Sequence, residues 1–263
     1  MQRITDHLGR TVTFSFPPKR IISLVPAITE TMYHIGLEQE IVGRTRFCVH
    51  PKDKVKQAEN IGGTKEIKLD RIHALKPDLI IAEKEENTKE IVETLEKHYP
   101  VYVFEITGME DVIRMINDLG NITSRTEKSS NLVEQIQSEF QTLPNVSGKR
   151  VAYVIWKKPY MVVGNHTFIQ SLLSKMGFIN PFTEMEGRYP VVSEVDFKQA
   201  ELDYILLATE PYPFRQIHLE EFQALLPHVQ PIIVDGEMFW YGAKMIEAAP
   251  YFKKLFGEKS GIV

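Results

Sequence analysis

The chain has 263 residues, of which 43% are hydrophobic, 25% charged and 10% aromatic, a composition typical of a globular protein. Its net charge of −4 gives no general attraction to phosphate backbones or anionic lipid, which argues against nucleic-acid binding. The single cysteine, Cys48, excludes an intrachain disulfide and a thiolate-rich metal site. No apolar run approaches the ~18–20 residues of a membrane span, so we expect no membrane insertion.

The first residues of the chain are polar. Residues 1–7 read MQRITDH, and no apolar run that could form a signal-peptide core follows them. If Met1 is the native start, this predicts a cytoplasmic location.

The first half of the sequence alternates between strand and helix patterns. Residues 19–25 form a short apolar run typical of a buried parallel strand, and Pro26 opens a helical pattern that Gly36 ends. Further strands are predicted at 41–43, 79–82 and 101–104, and further helices at 69–75, 87–98 and 109–119. This alternation predicts a parallel sheet covered by helices on both faces.

A long amphipathic segment interrupts this alternation. Residues 124–143 carry a narrow apolar stripe, and Ser124 with Glu127 has the spacing of a capping box. As one uninterrupted helix, the segment would span roughly 30 Å. Pro144 and Gly148 follow it and mark the start of a second unit.

The second half repeats the pattern of the first in the same order. The matching pairs of segments are 19–25 with 149–155, 35–37 with 176–178, and 78–82 with 203–207. We therefore predict an α/β fold with two Rossmann-like lobes, each containing a parallel sheet, joined by one long rigid helix. The predicted divisions are an N-terminal lobe at 1–122, a bridging helix at 123–147 and a C-terminal lobe at 148–263.

Motifs for catalysis are largely absent. The sequence has no phosphate-binding loop, no G-x-G-x-x-G, no G-x-S-x-G and no H-E-x-x-H. Cys48 and His50 form the only nucleophile–base pair, and a structural role is the favoured interpretation for both. We predict that the protein is not an enzyme and holds no metal site and no cofactor.

Aromatic residues are concentrated in segments that follow predicted strands or precede helices. The aromatic residues are Phe47, Trp156, Tyr160, Tyr189, Phe239, Trp240 and Tyr241. Met161 beside Tyr160 and Glu237 beside the last cluster complete the set of candidate ligand contacts in these segments. In open α/β sheets, ligands bind outside the carboxyl ends of the strands. Large flat side chains there favour a sizeable, partly apolar ligand held between the lobes. The alternative is that these aromatic residues pack the lobes together or fill minor cores.

Two further features have both a binding and a structural interpretation. Residues 26–30 begin a helix directly after a strand, so their N–H groups could hold an anionic group, although capping by Thr29 is favoured. Asp70, Glu194 and Asp196 could meet arginines on a partner, or they could be solvated surface charges.

Several motifs in family order resemble the class III substrate-binding proteins of ABC importers, and among these the cobalamin-binding and iron-siderophore-binding proteins. The motifs are residues 6–10 (DHLGR), 18–30 (PKRIISLVPAITE), 36–37 (GL), 42–45 (VGRT), 61–64 (IGGT) and 75–80 (LKPDLI). The resemblance implies two lobes, a rigid bridging helix with small hinge motion, and a periplasmic or cell-surface location.

The resemblance also implies roles for individual residues. Phe47 and Tyr189 match aromatic ligand contacts of the cobalamin-binding relatives, and Met161 takes the place of a third. Thr64 stands where those relatives have tryptophan. Glu237 matches an acidic contact, and Tyr241 replaces an arginine. The transporter-docking acid of the first lobe matches Asp70, whereas its counterpart in the second lobe falls at Val195, between Glu194 and Asp196.

The resulting functional prediction is a substrate-binding protein of an ABC-type importer that captures cobalamin or a related corrinoid. A ferric siderophore or haem is the alternative ligand, with Tyr241 or His50 as the residues to test as haem ligands. A cytoplasmic protein that handles corrinoids or tetrapyrroles is the alternative function. The expected partners are a small-molecule ligand and an ABC permease, and the expected oligomeric state is a monomer.

Overall fold

The structure is a computed structural model that describes residues 1–257. These residues fall into two compact units. The first consists of Met1–Ile106, Glu110–Gln137 and Tyr241–Lys244, and the second of Thr107–Met109, Ser138–Trp240 and the chain from Met245 onward. The division of the chain at 122 and 147 and the rigidity of the bridging helix remain predictions.

The first unit is built on a parallel sheet of five strands. Its strands are β3 (Ile21–Ser23), β4 (Ile41–Arg44), β5 (Glu59–Asn60), β6 (Leu79–Glu83) and β7 (Val101–Phe104), in the order β5-β4-β3-β6-β7. A separate antiparallel hairpin is formed by β1 (Gln2–Thr5) and β2 (Thr11–Phe14). The helices are α1 (Pro26–His34), α2 (Leu69–Leu75) and α3 (Lys89–Glu96). The strands β3, β6 and β7 are buried along their whole length, as the apolar runs predicted.

The long helix starts two residues later and ends three residues earlier than the amphipathic segment 124–143, and it is ten residues shorter than the predicted bridging helix 123–147. Helix α4 (Met109–Thr123) is followed by α5 (Thr126–Phe140). Ser124 lies between them with φ of 57°, so its predicted role in a capping box is wrong. The two helices approach closely at Gly120, where a Cβ atom would lie only 2.0 Å from the Ser129 hydroxyl.

The second unit contains a mixed sheet. Its strands are β8 (Val151–Trp156), β9 (Tyr160–Val162), β10 (Val191–Val192), β11 (Tyr204–Ala208) and β12 (Gln230–Val234), in the order β10-β9-β8-β11-β12. Its helices are α6 (Phe168–Lys175), α7 (Glu194–Gln199), α8 (Gln216–Leu225) and α9 (Met245–Phe256). Strand β11 is parallel to β8 and β12, as predicted.

The prediction of a wholly parallel sheet is wrong at one side of the second unit. Strand β9 runs antiparallel to both β8 and β10. The reason is the short connection through residues 157–159, because a parallel pair needs a crossover of a dozen or more residues. Over residues 1–257, none of the helices has the length and apolar character that a membrane crossing requires.

A carboxylate joins strand and helix ends in the first unit. Asp78, just before β6, accepts hydrogen bonds from the backbone N–H groups of Lys19 (2.8 Å) and Arg20 (3.0 Å). The Arg20 Nε in turn donates to the carbonyl oxygen of Leu75 at the end of α2 (2.8 Å). This arrangement fixes the start of β3 against the start of β6 and the end of α2.

The second unit contains the same arrangement at the matching positions. Asp203, just before β11, accepts hydrogen bonds from the backbone N–H of Arg150 (2.7 Å) and from the Lys149 Nζ (3.0 Å). The Arg150 Nε donates to the carbonyl oxygen of Ala200 (2.9 Å). The repeat predicted from the sequence therefore extends to individual hydrogen bonds.

The helix ends also match between the two units. Gly36 after α1 and Gly177 after α6 have φ of 88° and 84°. The following residues, Leu37 and Phe178, donate their N–H groups back to carbonyl oxygens five positions earlier, each at 3.0 Å. This is the glycine-dependent helix ending that the sequence predicted at both places.

We expect alanine at Asp78 or at Asp203 to lower the free energy of unfolding by about 1–2 kcal/mol, because each change leaves at least one backbone N–H group without its acceptor. Urea denaturation of the two variants would measure this. Glu66→Ala is the control, since the Glu66 side chain is 83% exposed. Losses no larger than that of the control would contradict a structural role for the two carboxylates.

Candidate ligand-binding site

Two predicted ligand contacts lie at the carboxyl edge of the first sheet. Phe47 comes three residues after β4, and Thr64 four residues after β5. The Phe47 side chain is 47% exposed, and the Arg46 guanidinium carbon lies 4.9 Å from the centre of its ring. Thr64 is buried, and its carbonyl oxygen accepts a hydrogen bond from the Asn87 Nδ2 (3.0 Å). Phe47 therefore offers this edge an aromatic face, and Thr64 contributes mainly to its structure.

A buried carboxyl group at the same edge was not identified from the sequence. Glu83, the last residue of β6, is 2% exposed, and its Oε2 accepts hydrogen bonds from the N–H groups of Glu85 (2.8 Å) and Glu86 (2.9 Å). Burial raises the pKa of Glu83 to about 7, against the lowering effect of these two hydrogen bonds. An acidic residue directly after an apolar strand was the available signal.

The start of α1 is held by a threonine, although not as predicted. Val25 is the N-cap residue and provides no side-chain cap. The Thr29 hydroxyl instead bonds the Val25 carbonyl oxygen (2.7 Å), one helical turn earlier. The prediction of an N-terminal cap by Thr29 is therefore wrong, because this hydroxyl faces into the unit and not towards the free N–H groups.

Cys48 is packed beside this threonine. Its sulfur lies 3.1 Å from the Thr29 hydroxyl and 3.2 Å from that of Thr45. The residue is 2% exposed, and burial raises the pKa of its thiol. A protonated, enclosed thiol is a poor nucleophile, which favours the structural interpretation of Cys48.

In the second unit, the end of β8 carries an exposed aromatic residue. Trp156 is 40% exposed, and its ring lies 5.6 Å from that of Tyr212, which follows β11. The neighbouring Tyr160 in β9 is partly buried, with its ring at 5.5 Å from Phe197. Met161 is partly exposed beside it. Trp156 thus presents a free aromatic surface, whereas Tyr160 is shared with the core.

The loop after β12 contains both core and surface aromatic residues. Phe239 is 2% exposed and packs against the rings of Tyr153 (4.6 Å) and Phe252 (4.9 Å). The structure therefore places Phe239 in the core, in place of the predicted ligand contact, because a side chain enclosed by two rings has little surface to offer. Glu237 and Trp240 are partly exposed, and the Trp240 Nε1 donates to Glu210.

Tyr189 lies in the loop before β10, beside the carboxyl end of the antiparallel strand β9. It precedes β10, and the carbonyl oxygens on either side of it, those of Arg188 and Pro190, accept hydrogen bonds from Gly164 and Val162. Burial is the main cause of the raised pKa of Tyr153, and the charge of Tyr189 is one of the smaller causes. The backbone around Tyr189 is thus held against the end of β9, and its role as a ligand contact remains a prediction.

The predicted docking acids differ in their engagement. Asp70 and Glu194 are both exposed and lie in the first turns of α2 and α7. Asp196 forms a capping box with Ser193, whose N–H and hydroxyl each lie 2.7 Å from its carboxylate. These hydrogen bonds lower the pKa of Asp196, and the one from the Ser193 hydroxyl has the larger effect. Of the two acids in the second unit, Glu194 is therefore the better docking candidate, and docking itself remains a prediction.

Comparison with known proteins assigns the family. The sequence pattern of a family described as periplasmic binding protein matches residues 21–225, which is more than half of the chain. The chain belongs to this periplasmic binding protein family.

The curated relatives include vitamin B12-binding proteins. That of Vibrio parahaemolyticus is 29% identical over 182 residues, which are 67% of this chain and 66% of the relative. That of Pectobacterium carotovorum is 25% identical over 201 residues, 74% of this chain and 72% of the relative. The chain thus spans 66% of the length of the first of these relatives.

Solved structures share the fold. The periplasmic vitamin B12 binding protein of Vibrio cholerae superimposes with a TM-score of 0.78 at 20% identity, covering 94% of this chain and 100% of that one. The periplasmic heme-binding protein of Roseiflexus sp. RS-1 gives 0.76 at 17% identity, with 92% and 99% covered. At these identities the likeness shows the fold.

Proposed function

We propose that this protein is the substrate-binding protein of an ABC-type importer and that it captures cobalamin or a related corrinoid without transforming it. It works as a monomer in the periplasm or at the cell surface and passes its ligand to a permease. The observation that carries the proposal is the match to curated vitamin B12-binding proteins, in a chain with exposed aromatic faces at the carboxyl ends of its strands.

The chemistry of these edges suits a large flat ligand. Phe47 in the first unit and Trp156 in the second are exposed to 47% and 40%, and broad aromatic faces stack well on a planar macrocycle. Within residues 1–257, no group of three or more His, Cys, Asp or Glu side chains is arranged to hold a metal ion. A corrinoid, which carries its own metal, needs aromatic and polar contacts more than protein ligands.

Haem is the second candidate ligand, because heme-binding proteins are among the solved structures with this fold. Coordination of the haem iron by the protein would require an axial ligand such as tyrosine or histidine. Tyr241 and His50 are the residues to test, and a haem-bound Tyr241→Phe variant with an altered absorption spectrum would favour this ligand.

Calorimetric titration with cyanocobalamin, haemin and a ferric siderophore tests the proposal directly. We expect saturable one-to-one binding of cyanocobalamin, with weaker or no binding of the other two. Cys48→Ala is the matched control and should bind with the wild-type affinity, since its thiol is enclosed. Preferential binding of haemin or of the siderophore would replace the corrinoid assignment, and turnover of any ligand that depends on Cys48 would contradict the non-catalytic role.

A further inference from the structure

A short segment late in the sequence belongs to the first unit. Residues 241–244, which we call the strap, join the first unit, whereas the residues on both sides of them belong to the second. The strap packs against α1, which begins directly after β3 at the carboxyl edge of the first sheet. Its first residue is Tyr241, a predicted ligand contact that the sequence pattern had grouped with Trp240 in the second lobe.

One threonine of α1 anchors the backbone of the strap. The buried Thr31 hydroxyl accepts a hydrogen bond from the Ala243 N–H (3.0 Å) and donates to the Ala27 carbonyl oxygen (2.8 Å). Because this hydroxyl makes both bonds at once, the Ala243 amide is held at a defined place beside the first two turns of α1.

The strap also requires glycine at its second position. Gly242 has φ of 82°, and a Cβ built there would lie 2.1 Å from the Thr31 hydroxyl oxygen. Both the left-handed backbone and the lack of space exclude a larger residue at this approach. The strap therefore lies as close to α1 as the backbone permits.

A buried ion pair closes the other end of the strap. Lys244 is 3% exposed, and its Nζ lies 3.1 Å from the Oε1 of Glu30. The Glu30 side chain is itself only 14% exposed. A buried pair of this kind fixes geometry more than it adds stability, since removing water from both charges offsets much of their attraction.

We infer that α1 positions Tyr241 for ligand binding through the strap, so that Thr31, Glu30 and Lys244 are positioning residues of the binding site. This inference rests on the proposed function. Tyr241 directly precedes Gly242, and the three anchors leave its backbone little freedom. The strap thus adds an aromatic residue to the first unit, beside α1.

Hydrogen exchange of the ligand-free protein tests the anchoring. The Ala243 amide should be protected in the wild type, and Thr31→Val should make it exchange at least about tenfold faster by removing its acceptor. Thr31→Ser keeps the hydroxyl and should restore protection. Thr123→Val is the matched control: Thr123 is also buried and also donates to a carbonyl oxygen one turn back in its helix, that of Leu119 (2.5 Å), but it belongs to α4 and not to α1 or the strap. An unprotected Ala243 amide, or protection unchanged in Thr31→Val, would overturn the inference.

Cyanocobalamin titration of the same proteins tests the role in binding. Thr31→Val should weaken binding by about tenfold, Thr31→Ser should restore it, and Thr123→Val should leave it unchanged. In a Tyr241→Ala background, Thr31→Val should have no further effect, because both changes act through one contact. Gly242→Ala should reproduce the loss. Unchanged affinity despite faster exchange, or losses that simply add, would overturn the inference. No binding by the wild type would instead contradict the proposed function, and exchange at Ala243 would still decide the anchoring.

Discussion

Glutamine in place of Glu83 should remove a loss of stability that the wild-type protein shows as the pH rises from about 4.5 to 8. The pKa of Glu83 is about 7 in the folded protein, against the value of 4.5 for an ordinary, solvent-exposed glutamate. The folded protein therefore binds a proton more tightly than the unfolded chain. Its contribution to stability is fully present below about pH 4.5 and is lost as the pH rises through about 7. The expected size is about 3 kcal/mol.

Urea denaturation of both proteins across this pH range would measure the effect as the difference between their free energies of unfolding. In Glu83→Gln an amide group replaces one carboxyl oxygen, and it can face the N–H of Ile106, which donates to Oε1 at 3.4 Å in the wild type. Any loss of stability from this lost hydrogen bond is the same at every pH, so it does not change the slope of the pH profile. Lys84→Gln is the control, since it changes a neighbouring exposed charge. Parallel pH profiles for wild type and Glu83→Gln would show that Glu83 is ionised without cost.

Removal of the Trp240 side chain should weaken cyanocobalamin binding by about 1–3 kcal/mol, the range for a buried stacking aromatic residue. The hydrogen bond from its Nε1 to Glu210 holds the indole beside the end of β11, so the ring is oriented before the ligand arrives. Preorganisation of this kind increases affinity because less freedom is lost on binding.

Calorimetry of Trp240→Ala would measure the loss, and Trp240→Phe would separate stacking from the hydrogen bond to Glu210. Ile217→Ala is the control in the same unit, because Ile217 is an apolar residue with 61% exposure outside the predicted site. Near-wild-type affinity in Trp240→Ala would exclude this residue from the site.

Two predicted ligand contacts, Phe47 and Trp156, show what the sequence could predict about position in the fold. Phe47 lies three residues after β4 and Trp156 is the last residue of β8. Because the carboxyl ends of parallel strands meet at one edge of a sheet, short-range order was enough to predict that both lie at such an edge. The acids Asp70 and Glu194 were likewise identified as exposed, since helix starts in polar sequence face solvent.

The positions of three other residues depend on partners far away in the sequence. Phe239 looks like its neighbour Trp240 in the sequence, yet Tyr153 and Phe252 enclose it. Glu83 is buried at the end of β6, where its Oε1 also accepts a hydrogen bond from the N–H of Ile106, 23 positions later. Tyr241 belongs to the first unit together with Ala243, whose N–H donates to the hydroxyl of Thr31, 212 positions earlier in the chain.

The sequence by itself determined the α/β class, the buried strands, the glycine-terminated helices and the internal repeat, because burial and backbone geometry impose short-range periodicity on the residues. The tertiary structure decided the pairing of β9 with β10, the burial of Phe239 and Glu83, and the attachment of the strap. These features depend on contacts between residues distant in the chain, and such contacts leave no periodic signal in the sequence.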